Sequence, residues 1–178
     1  KRRGRRRTIE NEKEIKKREK NITKKELEKR ALKVAIGAIF YGDLKNRRLN
    51  NTIFDIKRFV SFDGNTGPYL LYSYARASSI LKKSKKKSNQ KNNPFEYDEK
   101  EVILIKKLSE FSKIIFESYQ QLNPSIIANY SYQLSQNFNE FYHFCPVLGS
   151  EKEAFRISLV ESFRQVLKNS LKLLGIDV

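Results

Sequence analysis

The side chains with the most distinctive chemistry are aromatic rings and a guanidinium group set at helical spacing. Tyr69, Tyr72 and Arg76 follow the turn SFDGNTGP (61–68) at intervals of three and four, and Tyr142 ends a later apolar stretch. Nucleobases stack on aromatic rings and guanidinium planes, and phosphates pair with Arg and Lys. This set is typical of a surface that binds single-stranded RNA. A tyrosine stripe at helical spacing is also typical of the edge of a packed core.

The only histidine and the only cysteine of the chain are His143 and Cys145, two residues apart. A thiol and an imidazole form a nucleophile–base pair when they are within hydrogen-bond reach. Side chains at positions i and i+2 of a helix point apart, and Pro146 follows at once. We therefore predict a packing role for the pair and no catalysis. Two such ligands are also too few for a four-coordinate zinc site, and the chain has no glycine-rich phosphate loop.

The net charge of +17 is concentrated in two segments. Residues 1–33 hold 16 Lys and Arg against six Asp and Glu, and residues 82–91 hold six lysines and no acid. Localised basic charge indicates binding to a polyanion. The same runs are also typical of solvated spacers, so both interpretations stay open for these segments.

The composition predicts a globular protein away from membranes. With 178 residues and 39% hydrophobic residues, the chain can form one domain with a core, with or without an appendage. No apolar run approaches the roughly 18 residues of a membrane span, and no signal peptide is apparent. One cysteine excludes an internal disulfide. We expect an intracellular protein and, because the chain starts KRRGRRR and lacks methionine, a piece of a longer one.

The first helix is predicted at residues 24–41. Thr23 and Glu26 have the spacing of a capping box, and Gly42-Asp43 is expected to end the helix. A charged segment at 10–20 is predicted to be helical as well, and residues 46–60 to be irregular or extended with a short helical turn. The predicted apolar stripe consists of Leu27, Ala31, Val34, Ala35, Ala38 and Ile39.

The second helix is predicted from Thr66 to about Lys83. Thr66 can cap it, and Pro68 fits the first turn because its missing N–H costs nothing there. One face carries Leu70, Tyr74, Ala77 and Leu81, and the other carries Tyr69, Tyr72, Arg76 and Ser79.

Three further helices are predicted, at about 98–121, 124–143 and 151–174. Ser150 is expected to cap the last, and Gly175 to stop it. The fold class is therefore all-α, a helical bundle. The predicted inward residues of the first of these helices are Val102, Ile105, Leu108, Ile115 and Phe116. Those of the second are Ile127, Tyr130, Leu134, Phe138 and Phe141, and those of the third are Phe155, Leu159, Phe163, Leu167, Leu171 and Leu174.

Four stretches of the chain closely resemble arginyl-tRNA synthetases. They are AIGAIFYGDLKNRRLN (35–50), FDIKRFVSFDGNTGPYLLYSYARASSIL (54–81), IIANYSYQLSQNFNEFYHFCPVLGS (126–150) and RISLVESFRQVLKNSLKLLGI (156–176). The resemblance extends over about 31–81 and 105–178. It implies the tail of that family's catalytic region followed by its C-terminal helical anticodon-binding domain, of the DALR type.

The resemblance implies a class I ligase that activates arginine with ATP, with Mg, and transfers it to tRNA(Arg). The family's HIGH signature is not in these residues, so we expect this piece to bind no cofactor and to be unable to aminoacylate alone. Arg3 and Gly4 are similar to the loop after the family's KMSKS signature. The compartment is expected to be the cytoplasm, with an organelle as the alternative, and the oligomeric state stays open.

The resemblance also suggests tRNA-binding residues. The family's GNT-x-PY segment passes from the catalytic domain into the helix bundle, whose surface faces the anticodon stem and loop. Tyr69, Tyr72 and Arg76 are therefore expected at that junction or on the RNA face. Tyr142 matches an aromatic position that the family places against an anticodon base. Asn129 and Gln133 are candidate hydrogen-bonding partners of a base. Where some members carry a further aromatic residue, this chain has Pro146.

Two domains are predicted. Residues 1–60 form the tail of the catalytic region and the connector, and residues 61–178 form the anticodon-binding bundle with a Lys-rich loop at 82–95. The loop can add sequence-independent attraction to phosphates. Two other hypotheses are a stand-alone helical RNA-binding or scaffold module derived from this domain, and a basic bundle that binds DNA.

Overall fold

The computed structural model describes residues 23–51, 53–84 and 96–178. The basic N-terminal run, the helix predicted at 10–20, Arg3 with Gly4, and most of the Lys-rich loop lie outside the described residues.

The predicted all-α class is confirmed, since the described residues form helices and contain no strand. None of these helices is long and apolar enough to cross a membrane. The helices are α1 (Lys24–Leu44), α2 (Ile56–Phe59), α3 (Gly67–Lys83), α4 (Glu99–Ser109), α5 (Phe111–Gln120), α6 (Ser125–Phe144) and α7 (Glu153–Leu173).

Helix α1 begins as its capping sequence predicts but ends later. Thr23 Oγ1 accepts a hydrogen bond from the Glu26 N–H at 3.4 Å. The predicted end at Gly42-Asp43 is wrong, because the helix continues to Leu44. Gly42 is inside the helix and faces the ring of Phe59, where a Cβ would overlap the ring atoms. A tertiary contact therefore requires this glycine.

Helix α3 has the predicted bounds at both ends. Thr66 Oγ1 accepts from the Tyr69 N–H at 3.3 Å and donates to the Ser61 carbonyl at 2.6 Å. The first residue, Gly67, lies so close to α1 that a Cβ would overlap the Gly37 carbonyl. The two helices therefore pack backbone to backbone at this point, which fixes where the turn at 61–66 lies.

The helix predicted at 98–121 is two helices that meet at Glu110. Of the residues predicted inward, Ile105 and Phe116 are exposed, whereas Leu104 is fully buried. Glu101 is buried on the same face as Leu104, and it accepts a hydrogen bond from Arg156 Nε at 2.7 Å.

The core lies where α3, α6 and α7 pack against one another, with α1 against α3, and α4 and α5 against α6. The stripe predicted on α6 is confirmed, as all five of its residues are buried. At the centre the rings of Phe138 and Phe163 stack with centroids 3.8 Å apart. This packing holds α3 and α6 side by side along their polar edges.

Helix α7 starts later than predicted, and its cap differs. Ser150 does not cap it: the Ser150 hydroxyl donates to the Val147 carbonyl, and the helix begins at Glu153. The predicted C-terminal stop is confirmed. Gly175 has a φ of +73°, and the Ile176 N–H donates to the Leu171 carbonyl at 2.9 Å, as in a glycine-terminated helix.

Candidate nucleic-acid interface

Arg76 lies between two tyrosine rings contributed by neighbouring helices. Its Cζ is 4.8 Å from the ring centre of Tyr72 on α3 and 5.2 Å from that of Tyr142 on α6. Both rings are partly open to solvent, with 37% and 43% of their residues' surface exposed. A guanidinium over aromatic faces is a favourable arrangement. The exposed edges leave aromatic surface on which a base can stack.

An amide network fixes the orientation of this arginine. Arg76 Nη1 donates to Asn139 Oδ1 at 2.6 Å, and Nη2 donates to the Tyr72 hydroxyl at 3.2 Å. The Asn139 Nδ2 donates to the Tyr69 hydroxyl at 2.8 Å and to Ser73 Oγ at 3.1 Å. Asn139 therefore joins the polar edge of α3 to α6 and holds the guanidinium plane in one position.

A cleft of about 450 Å³ opens beside Arg76 and Tyr142, between α3 and the corner that joins α6 to α7. Its cationic lining residues are Arg76 and Lys83, and the lining within the described part of the chain includes no carboxylate. The rest of the lining is Ser79, Ile80, His143, Pro146, Val147 and Leu148. A cleft with an aromatic wall and positive charge suits an unpaired base with its phosphate.

A buried ion pair holds the α6–α7 corner in place. Arg156 on α7 donates from Nε to Glu101 Oε1 at 2.7 Å, from Nη1 to the Pro146 carbonyl at 2.7 Å, and from Nη2 to Asp98 Oδ2 at 2.6 Å. Glu101 is completely buried. Lys152 also donates to Asp98 and is the main reason why the pKa of that carboxyl lies below its ordinary value. Pro146, which lines the cleft, is thus connected through Arg156 to α4 and α7.

Tyr69 is in the same network but serves a different purpose from Tyr72 and Tyr142. It is half-buried, its hydroxyl accepts from Asn139, and its ring packs against Tyr132 with centroids 5.5 Å apart. Burial raises the pKa of its hydroxyl. Tyr69 therefore supports the site through Asn139 and exposes less of its ring than Tyr72 and Tyr142 do.

The structure does not bring Asn129 and Gln133 to this cleft. Gln133 is nine residues before Tyr142, which corresponds to two and a half turns and about 13 Å along the axis of α6. The half turn places the two side chains on opposite sides of the helix. Asn129 Nδ2 donates to the Lys45 carbonyl at 3.2 Å, and Gln133 Oε1 accepts from Lys107 Nζ at 3.0 Å. The contact of Asn129 and Gln133 with a base stays a prediction, and it would require an RNA-binding surface separate from the cleft beside Tyr142.

Asn139 is a residue that sequence reasoning missed. It lies three residues before Tyr142 on the same helix, and that spacing was the available signal. Its partner Arg76 is 63 positions away in the chain, so the sequence does not show the pairing. Tyr72 also borders a second cleft, of about 330 Å³ and mostly apolar, whose lining includes Leu71, Ala75 and Val178.

The described residues contain one group with metal-ligand atoms close together, formed by Asp98, Glu101 and Cys145. Its carboxylates already accept hydrogen bonds from Arg156, and burial raises the pKa of the Cys145 thiol. A protonated thiol and occupied carboxylates do not fit Mg²⁺ with ATP, which is bound through free carboxylates, phosphates and water. The group acts as a structural joint.

The chain is similar to known proteins both in sequence and in structure. A family model described as the DALR anticodon binding domain matches residues 70–178. The chain belongs to this family. The DALR match includes α3 from Leu70 onward and all of α6 and α7, and with them every residue of the Arg76 network except Tyr69, which immediately precedes it.

The relatives of this DALR domain confirm the resemblance seen in the sequence. Arginine–tRNA ligase of Clostridium beijerinckii is 40% identical over 163 residues, and that of Clostridium perfringens is 41% identical over 165. Each match covers 90% of this chain and 29% of the relative. The chain therefore spans less than a third of the length of these relatives.

Solved structures give the same result. The arginyl-tRNA synthetase of Thermus thermophilus superimposes with a TM-score of 0.88 at 28% identity, over 98% of this chain and 30% of that one. The enzyme of Plasmodium falciparum superimposes with a TM-score of 0.86 at 27% identity, over 98% of this chain and 31% of that one. The similarity thus extends beyond the DALR match and includes α1 and α2.

Proposed function

We propose that this chain is the anticodon-binding part of an arginine–tRNA ligase and that the cleft beside Tyr142 contacts an unpaired base of tRNA(Arg). The arginine held between two exposed tyrosine edges carries the proposal, because it supplies stacking surface and positive charge at one point. The DALR match and the relatives' names support the choice of RNA over DNA.

The chemistry of the ligase belongs, in this proposal, to the part of the protein that this chain does not include. ATP, Mg²⁺ and arginine would bind there, since in the one group of close metal-ligating atoms among the described residues the carboxylates of Asp98 and Glu101 are engaged in ion pairs with Arg156. This chain's contribution is to hold the anticodon end of the tRNA in register. The compartment that we propose is the cytoplasm, with an organelle as the alternative.

The proposal is tested by the binding of tRNA(Arg) transcripts to the chain at physiological salt. Tyr142→Ala removes one ring over Arg76, and stacking on an aromatic ring contributes about 1–3 kcal/mol per base. We expect affinity to fall at least about fivefold and discrimination against a substituted middle anticodon base to decrease.

Tyr119→Ala is the matched control, because Tyr119 is an exposed tyrosine on α5 outside the cleft. It should leave tRNA binding unchanged. An equal loss of affinity for all polyanions, duplex DNA included, would contradict anticodon recognition and favour a non-specific basic module. Equal binding of all tRNAs by the unaltered chain would contradict it as well.

A further inference from the structure

A separate cleft of about 710 Å³, here called the turn cleft, lies between the chain at 43–50 and the turn that joins α5 to α6. Each of these two segments contributes a leucine that is largely in solvent. Leu49 is 90% exposed and Leu122 is 71% exposed. The rest of the lining is Asp43, Leu44, Asn46, Arg47, Arg48, Asn50, Gln121, Asn123 and Pro124.

Leu122 has a backbone conformation in which glycine is the usual residue. Its φ is +47°, and no other non-glycine residue in the described part of the chain has a positive φ. The Leu122 N–H donates to the Tyr119 carbonyl at 3.1 Å and the Asn123 N–H to the Ser118 carbonyl at 3.0 Å, which is the hydrogen-bond pattern of a glycine-terminated helix. Leucine is strained there, whereas glycine is not. Since neither the turn nor the core requires this exposed side chain, it indicates a contact with another molecule.

The charges in the turn cleft indicate what kind of molecule that is. Arg47 and Arg48 are exposed beside Leu49, and neither forms an ion pair within the described part of the chain. The lining holds one carboxylate, that of Asp43. Guanidinium groups bind carboxylates through paired hydrogen bonds, so the cleft is complementary to an acidic ligand. The same arginines disfavour a second copy of this surface, which would bring like charges together.

The lining favours a peptide over a nucleic acid. It includes no aromatic ring among the described residues, so an unpaired base has no platform on which to stack, in contrast to the cleft beside Arg76. Asn50 and Gln121 are exposed in the lining, and their amide groups can donate hydrogen bonds to a peptide backbone and accept them from it. Exposed leucines, amides and paired arginines therefore suit an extended acidic segment.

We propose that the turn cleft binds an extended acidic peptide segment of another protein. An apolar side chain of that segment packs between Leu49 and Leu122, and a neighbouring carboxylate binds Arg47 and Arg48. The turn cleft and the cleft beside Tyr142 share no lining residue. The two contacts therefore do not compete for the same side chains, and the inference does not depend on the proposed function.

Random peptides displayed on phage and selected on the full-length gene product are the probe. We expect the selected peptides to carry Asp or Glu next to a large apolar residue. The affinity of a synthetic selected peptide, measured by fluorescence anisotropy, should fall at least about tenfold in the double variant Arg47→Gln with Arg48→Gln, because the charge-assisted hydrogen bonds are lost. Leu122→Gly should weaken binding as well. Its melting temperature should not fall, because glycine adopts a positive φ without steric cost, so loss of binding cannot be attributed to unfolding.

Arg164→Gln on α7 is the control, since Arg164 lies outside the lining of the turn cleft, and it should leave peptide binding unchanged. Selected peptides without acidic residues, or with the same affinity for the Leu122→Gly variant, would overturn the proposal. Displacement of the peptide by tRNA(Arg) would assign the cleft to RNA instead. Binding to this chain but not to the full-length product would show that another part of the protein covers the cleft. Unchanged tRNA binding by the Leu122→Gly variant distinguishes this inference from the proposed function.

Discussion

At the scale of single residues, the geometry of one guanidinium group decides what the cleft can bind. Arg76 has two hydrogen-bond acceptors and two rings around it, so its plane is fixed before any ligand arrives. Preorganisation of this kind reduces the entropy that binding must overcome. Lysine can supply the same charge but not the planar fork or the ring contact.

Arg76→Lys should therefore weaken binding of tRNA(Arg) by about tenfold, or about 1.4 kcal/mol, while the slope of affinity against salt concentration stays the same. The charge is retained, and the stacking and the fork are lost. Fluorescence anisotropy at several salt concentrations measures both quantities. Arg164→Lys on α7, the same exchange at a position outside the cleft lining, should change neither. The stacking role would be contradicted if Arg76→Lys decreased the slope of affinity against salt concentration but left the affinity itself unchanged at a given salt concentration.

At the scale of the helices, the joint between α4, α7 and the α6–α7 corner positions the cleft. Arg156 connects these elements through Glu101, Asp98 and the Pro146 carbonyl. Burial acts against its charge, but the hydrogen bond and the charge of Glu101 outweigh this effect and raise the Arg156 pKa. Removing Arg156 would leave the buried Glu101 with Lys152, at 3.7 Å, as its remaining cation.

Arg156→Met should lower the free energy of unfolding by up to about 3–5 kcal/mol, because Glu101 then stays buried without its hydrogen-bonded cation and keeps only Lys152, at 3.7 Å. Urea unfolding followed by circular dichroism measures the change. The double variant Glu101→Leu with Arg156→Met should recover most of the loss, since it leaves no buried charge. A double variant as unstable as the single one would show that Arg156 acts mainly through the Pro146 carbonyl.

At the scale of the whole molecule, the proposed function gives specific and non-specific binding to RNA separate sources. The cleft has two cationic side chains in its lining, whereas the lysine run at 82–91 holds six lysines and no acid. Contacts with phosphates add affinity that salt screens and that is the same for every sequence. Discrimination between anticodons then depends on the rings and amides of the bundle.

Replacing Lys85, Lys86 and Lys87 by Gln should decrease the salt dependence of tRNA binding by up to about two in the slope of log K against log salt, at about 0.7 per lost contact. The ratio of affinities for tRNA(Arg) and for a transcript with a changed middle anticodon base should stay the same. Titrations between low and physiological salt measure both. An unchanged slope would identify the run as a solvated spacer, and a changed ratio would show that it takes part in recognition.

Features that depend on near neighbours in the chain could be predicted from the amino-acid pattern. The caps at Thr23 and Thr66, the buried stripe of α6 and the glycine stop at Gly175 each involve residues within about one or two helical turns. The all-α class and the family also followed from sequence. The boundary between the two predicted domains at 60 and 61 stays a prediction, although α1 packs directly on α3.

Features that depend on partners far away in the chain became apparent only in the folded molecule. Glu101 and Arg156 are 55 positions apart, so the local pattern on α4 placed Leu108 correctly against the core but missed the burial of Glu101 and put the exposed Ile105 inward. Arg76 and Asn139 are 63 apart, and their contact separates the supporting Tyr69 from the exposed Tyr72 and Tyr142. The free energy of burying a polar group depends on whether another element supplies its partner. Periodicity records which side of a helix is apolar, but it contains no information about that partner.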